Sequence, residues 1–307
     1  MASKQSKKPL KKPVAPRPSS SILLLSPSNK ILLLHRVTTS TSFASAHVFP
    51  GGNLSSFHDG AHPPLDSPTI HSDSPSYRLA AIRETFEESG ILLAHSPDTT
   101  PLALPEEALS TGRKAVHANQ VPFPTWLTSH NGIPDTRGLV PFTRWITPPN
   151  MPKRFTTQMY LYFMDREAAV SHDGGLEHTE VAWDTAQGWL DKAKRGEVVL
   201  FPPQVYLISI VGMFCKGGEV EEEREALRGF LREVPKGRVP WTEKVISPMG
   251  LGMRGERVVL GLDKPGPELE GSGRGGDPER VVLVKFGKEG PSGVEVKGRE
   301  EVLREKL

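Results

Sequence analysis

Cysteine is almost missing from this chain. Cys215 is the only one among 307 residues, so no disulfide can form within the chain, and the composition suits a reducing compartment. Following Phe214, Cys215 reads as a small buried apolar residue rather than a catalytic thiol. Long apolar runs are missing as well: none approaches the roughly 18–20 residues a membrane-spanning helix needs, so no membrane partner is expected. Acid is missing from the start. No Asp or Glu precedes Asp59, while Lys4, Lys7, Lys8, Lys11, Lys12 and Arg17 crowd the opening stretch. A basic, acid-free start has the composition of an organellar address, but such addresses form amphipathic helices, and Pro9, Pro13, Pro16 and Pro18 interrupt one. Residues 1–20 are therefore expected to be a disordered basic tail, with mitochondrial import as the alternative. A net charge of only +2 gives no general reason to expect nucleic acid as a partner. The chain ends Glu305-Lys306-Leu307, two residues of the peroxisomal address S-K-L with an acid in place of Ser. The expected location is intracellular, cytoplasmic or peroxisomal.

What is present reads as a folded centre with loop-rich additions, because hydrophobic residues make up 36% while Gly and Pro number 29 each. Ser21 to Leu25 and Ile31 to Arg36 are apolar runs flanking Ser26-Pro27-Ser28-Asn29-Lys30, a hairpin of buried strands. Ala46 to Gly52 forms a strand ending in a glycine turn, and the proline-rich residues 53–76 form an irregular loop. A helix follows, with Ser74 at its N-cap, Pro75 at its first position and Gly90 at its end. Leu79, Ile82 and Phe86 give it an apolar face. Residues 95–138 suggest short helices at Pro105 to Ser110 and Arg113 to Asn119. Strands at Leu139 to Ile146, Gln158 to Met164 and Val181 to Trp183, then helices to Arg195 and from Phe201 to Phe214, complete a layered α/β domain. Beyond it, residues 216–307 read as a charged helix followed by short strands, an α+β extension of unknown role.

The central helix carries Arg83-Glu84-Thr85-Phe86-Glu87-Glu88-Ser89-Gly90. At about 100° per residue, Glu84, Glu87 and Glu88 share one face, opposite the apolar one. Three carboxylates packed together repel unless something positive neutralises them. Arg83, four residues before Glu87, supplies one charge; a divalent cation supplies the rest, and hard oxygen ligands suit Mg²⁺ or Mn²⁺. Left to itself, such a cluster is also what a solvated acidic helix face looks like.

The surrounding residues resemble the Nudix box, G-x5-E-x7-R-E-U-x-E-E-x-G-U, where U is apolar. Gly52 stands for the leading glycine, and Arg83, Glu84, Glu87, Glu88, Gly90 and Ile91 match the distal half. Thr85 replaces an apolar residue. About 17 extra residues separate the two halves, and His58, beside Asp59, occupies the spacing of the middle Glu. With Ala46-His47-Val48-Phe49-Pro50-Gly51-Gly52, Tyr77 to Glu84, Arg144-Trp145-Ile146-Thr147-Pro148, Lys153 to Thr157, and Gly196 to Gln204, the split box is similar to the branch called Nudix motif-containing protein 19. The similarity spans about residues 20–215.

That resemblance implies a Nudix α/β/α sandwich with a mixed central sheet over residues 21–215, and metal-dependent hydrolysis of a diphosphate link in a small nucleotide-like substrate. The branch acts on coenzyme A and its thioesters, releasing 3′,5′-ADP and phosphopantetheine. Its Arg-Phe-Asp-Thr element is here Arg154-Phe155-Thr156-Thr157. A coenzyme A signature of some Nudix enzymes has Arg and Gly where Thr41 and Ser45 stand, which keeps ADP-ribose, dinucleotides, isoprenyl diphosphates and a non-catalytic nucleotide sensor open. Catalytic roles are expected for Arg83, Glu84, Glu87 and Glu88. Metal ligation is expected for Glu84, Glu88 and the backbone of Gly51, with Glu87 a third ligand or the base. Glu177 or Glu180 assists, with no choice between them. Arg36, Arg144, Lys153 and Arg154 are candidates for gripping phosphates, and Trp145, Tyr160 and Tyr162 for stacking on a base. Each of these has a plainer reading as a structural charge or a core aromatic. The oligomeric state is open.

Overall fold

Two apolar runs separated by a polar pentapeptide close as a hairpin. In a computed structural model, which describes residues 13–37, 45–171, 177–234, 239–288 and 290–304, they are β1 (Arg17–Leu25) and β2 (Ile31–Arg36). β1 begins at Arg17, so the last four residues of the expected tail belong to the sheet. The reason is pairing on both sides: Ser19 to Ser21 pair with β4 (Gly51–Asn53), which follows β3 (His47–Val48), and also with a strand far down the chain. Ser19 Oγ also meets Thr157 Oγ1 at 2.7 Å.

After β4 the inserted loop makes one 3₁₀ turn, at Pro68–His71, and leads into α1 (Pro75–Ser89). Ser74 and Pro75 open α1 as expected, and Gly90 closes it with φ 76°, a conformation glycine adopts without cost. β5 (Ala94–His95), α2 (Glu106–His117), α3 (Phe123–Ser129) and β6 (Ile133–Pro134) follow. α2 is one continuous helix where two short ones were expected, and α3, masked in sequence by Pro122 and Pro124, was not anticipated. Next come β7 (Val140–Ile146), β8 (Phe155–Phe163), β9 (His178–Asp184), α4 (Ala186–Arg195) and α5 (Pro202–Gly212).

The mixed sheet runs β7-β8-β1-β2-β3, with β8 parallel to β1, β4 on β1 and β9 on β2. Both faces of β1 and β2 are covered, which is why these strands read as unbroken apolar runs. Ile22, Leu24 and Leu32 pack under α1 with Tyr77, Ile82 and Phe86. Leu23, Leu25, Ile31 and Leu33 pack on the other side, with Trp189 of α4 and Val205, Ile208 and Val211 of α5.

Residues after 215 are woven into this architecture. α6 (Val220–Arg232) puts Leu227 and Leu231 into the α5-side core. β10 (Val245–Ile246) joins the central sheet, parallel to β7. β11 (Met249–Arg254), β12 (Arg257–Leu262), β13 (Asp277–Gly287) and β14 (Gly290–Gly298) form a second antiparallel sheet, followed by α7 (Arg299–Arg304). Val282 joins the α5-side core, and the buried Asp277 accepts from Tyr206 Oη of α5 at 2.7 Å.

Candidate active site

Arg83 is the charge on which the acids converge. Its Nη1 lies 2.8 Å from Glu84 Oε1 and 2.9 Å from Glu87 Oε1, while Nε and Nη2 grip both oxygens of Asp59 at 3.0 and 2.9 Å. Nη2 also donates to Asn53 O at 3.0 Å, tying the helix to the end of β4. Burial works against the guanidinium charge, but Glu84, Asp59 and Glu87 outweigh it and hold its pKa above the ordinary value. Asp59 thus fills, from inside the inserted loop, the acidic position that His58 seemed to leave vacant. Thr85, at the usually apolar position, is fully buried and satisfies its hydroxyl on Ala81 O at 2.8 Å.

Glycine lets the helix come close. A Cβ on Gly52 would sit 2.5 Å from the Glu84 carboxylate carbon, so only a hydrogen fits there. Gly51 N–H donates to Glu88 Oε2 at 2.8 Å, and His178 Nε2 of β9 lies 3.7 Å from Glu88 Oε1. Burial, followed by the opposing effects of Arg83 and Glu87, pushes Glu84 up to about 7. Burial and then Glu84 hold Glu88 well above the carboxylate range. Three acids around one arginine, with Glu88 beside Glu84, leave an excess of negative charge that a proton or a cation must answer.

The acids form the floor of a cavity of about 290 Å³, walled by Asn53, Leu54 and Ser55 on one side and by His58, His117 and Asn119 on another, with Glu177 at its edge. His58 accepts from Phe123 N–H at Nδ1, so its Nε2 donates to Asn119 Oδ1 at 2.9 Å, and burial lowers its pKa. Among the described residues no three acidic or imidazole side chains converge as a closed metal cage. An open site does not need one, because Mg²⁺ keeps several waters and takes one or two carboxylates alongside substrate phosphates. Glu84, partly buried, and Glu88, buried, both oxygen-donating and charge-frustrated, fit that demand.

Of the residues singled out in sequence, Glu84, Glu87, Glu88, Arg83 and Gly51 come together here. Glu177 lies at the cavity and pairs with Arg36 at 3.3 Å, whereas Glu180 is exposed on β9 and does not line it. Arg144 and Arg154 are placed elsewhere. Arg144 is 1% exposed, its guanidinium 4.4 Å from the Tyr77 ring centre, with Nη1 on Thr156. Arg154 donates to Thr147 O, Val14 O and Glu268. Both stitch the sheet to neighbouring segments instead of facing the cavity. Lys153 is exposed and likewise not part of the lining, and Trp145 and Tyr160 are core residues. Tyr162 Oη donates to Asp135 at 2.8 Å. His47 is buried against His35 and Trp189. Thr41 of the coenzyme A signature and the terminal Glu305-Lys306-Leu307 lie outside the described residues. His117 and Asn119 were missed in sequence: they sit in a stretch with no motif, some thirty residues past α1, and only the docking of α2 brings them in.

A mixed sheet between helical layers, with an arginine-centred acid cluster on the inner helix, defines the class: the chain is similar to the Nudix superfamily in fold and in its acid-bearing helix. The match narrows within it. A family model described as the NUDT19 Nudix domain matches residues 60–211. A Caenorhabditis elegans relative bearing the name nudix hydrolase 7 is 31% identical over 188 residues, 61% of this chain and 57% of that one. The acyl-coenzyme A diphosphatase NUDT19 of Xenopus laevis is 29% identical over 252 residues, 67% of this chain and 66% of its own. The chain therefore spans less than two thirds of the length of these two relatives. Among solved structures, a Nudix hydrolase from Alicyclobacillus acidocaldarius shares the fold, with a TM-score of 0.54 at 20% identity, covering 64% of this chain and 90% of that one. Among the described residues no helix is long and apolar enough to cross a membrane.

Proposed function

We propose that this chain is a metal-dependent diphosphatase acting on coenzyme A or acyl-coenzyme A, splitting it to 3′,5′-ADP and the phosphopantetheine half. Glu84 and Glu88 carry the proposal: a partly buried carboxylate raised to about 7 and a buried one held well above the ordinary carboxylate value open onto a cavity that already holds two further acids. Such a pair is stabilised by a divalent cation, and Mg²⁺ or Mn²⁺ bound there would supply charge neutralisation and an activated water for attack at phosphorus. The protein's own part is positioning. Gly51 N–H fixes Glu88, and Arg83 fixes Glu84 and Glu87. Glu177, at the cavity edge, is the assisting acid, and Arg36 beside it is the cation placed to meet a phosphate. The similarity to the acyl-coenzyme A diphosphatase of Xenopus laevis supports the coenzyme A substrate.

The test incubates the purified chain with coenzyme A, acetyl-coenzyme A, ADP-ribose and NADH, with Mg²⁺, with Mn²⁺ and with EDTA, beside Glu88→Gln. The expected result is release of 3′,5′-ADP that needs the metal and falls at least about a hundredfold in the variant. Turnover of ADP-ribose or NADH alone moves the specificity. Tight binding with no turnover makes the chain a nucleotide sensor.

A further inference from the structure

The inserted loop sends two consecutive side chains opposite ways. Asp59 turns to Arg83, while His58, 4% exposed, turns to the junction of α2 and α3. Phe123 is the first residue of α3, so its N–H has no helical carbonyl to meet; it donates to His58 Nδ1 at 3.1 Å. A backbone N–H can only donate, so Nδ1 is the bare nitrogen and the ring proton sits on Nε2. Nε2–H donates in turn to Asn119 Oδ1 at 2.9 Å. With its oxygen taken, the Asn119 amide presents Nδ2–H₂ at its free end. Among the described residues that nitrogen has no protein acceptor, and Asn119 lines the cavity.

The docking of α2 sets where that amide stands. Arg113 Nε donates to the backbone oxygen of Glu87 at 2.7 Å, and His117 Nδ1 lies 3.2 Å from Glu87 Oε2. Asn119 follows α2 in the left-handed conformation, φ 56°. Ending a helix this way is ordinary for Asn, and Gly does it as well, but that task needs neither the amide nor a buried histidine on its oxygen. We propose that Asn119 binds the diphosphate of the substrate, donating Nδ2–H to a phosphate oxygen, with His58 as the residue that positions it. This rests on the diphosphatase reading above. A cavity of about 290 Å³ takes only part of a coenzyme-sized molecule, and its acids select the part that carries a cation, the diphosphate. A neutral donor suits this wall, because a cationic side chain beside the acids would pair with them, as Arg83 and Arg36 do.

The test uses the full chain, Mg²⁺, Asn119→Gly and Asn119→Asp. Gly keeps the left-handed turn and removes the amide. Asp keeps an oxygen for His58 and replaces the donor with a second acceptor. Binding is read by calorimetry with imidodiphosphate, which resists hydrolysis, and turnover with whichever substrate the wild type cleaves. The expected result is that Asn119→Gly melts like wild type yet binds imidodiphosphate about tenfold more weakly, the size of one hydrogen bond to a charged group. KM rises by a similar factor with kcat changed less than about threefold, and Asn119→Asp binds more weakly still. If Asn119→Gly or Asn119→Asp binds and turns over as wild type does, the amide serves only the turn; the contact is wrong and the hydrolase reading stands. If the wild type binds imidodiphosphate, hydrolyses nothing and both variants weaken binding, the hydrolase reading fails and the contact stands. A wild type that does not bind imidodiphosphate overturns the contact outright.

Discussion

Asp59 is buried against Arg83 with both oxygens engaged, so removing it strands part of a guanidinium that water cannot reach. Glu84 and Glu87 still face that arginine, which places the expected loss for Asp59→Ala at about 2–3 kcal/mol rather than more. A urea titration checks this, and a change under about 0.5 kcal/mol would mean the pair contributes nothing. Two histidines set the acid limit of stability. His47 and His71, buried, have pKa values lowered to about 4, first by burial and then by His35 and Arg144 respectively. The unfolded chain therefore takes up these protons first, at about 6.5. Their contribution is whole above pH 6.5 and drains away as the pH falls toward 4, by up to about 3 kcal/mol each. His71→Gln should melt at a temperature less sensitive to pH across that window; an unchanged slope would refute it. Of these residues Arg83 and the acids of α1 were legible in sequence. Asp59 was visible as a neighbour of the box position, but its pairing depends on a loop whose path no local pattern encodes.

Helices carry their meaning in what they touch, and two glycines make the contrast measurable. Gly112 of α2 meets Trp126, whereas Gly229 of α6 meets nothing within 4 Å. Ala at position 229 should stabilise by about 0.5–1 kcal/mol, the ordinary helix preference over glycine. The same change at 112 should cost about 1–3 kcal/mol, because overpacking outweighs that gain. It should also slow turnover, since α2 carries both contacts to Glu87. Thermal melts of the two variants check the signs, and stabilisation at both positions would refute the close packing. α1 was readable down to its caps because Pro75, the apolar face and Gly90 are local signals. β1 and β2 were readable as buried strands from their leucine runs. α3 and the length of α2 were not, since prolines at helix starts look the same in sequence as prolines that break helices.

At the scale of the molecule, the part that resembled nothing turns out to be structural. Leu227, Leu231, Trp241, Ile246, Leu262 and Val282 all enter the core on the α5 side of the sheet. Arg274 also reaches back to the inserted loop, donating to His71 O from beyond β12. A chain cut after Cys215 should lose cooperative melting and near-ultraviolet circular dichroism and bind hydrophobic dyes. A cut protein that melts as sharply as the whole would make the later residues a true appendage. Their role was opaque in sequence because β10 is only two residues long and joins the sheet through partners a hundred residues earlier. The order of synthesis gives one arrangement a further consequence. β1 lies beside β8, with Ser19 and Thr157 in contact 138 residues apart. At roughly 5–20 residues per second, the leucines of β1 leave the ribosome about seven to thirty seconds before their neighbour exists. During translation, then, a strand buried at all but its first residue in the finished protein is for a time exposed, and the protein's yield in a cell should track the supply of chaperones that bind nascent chains.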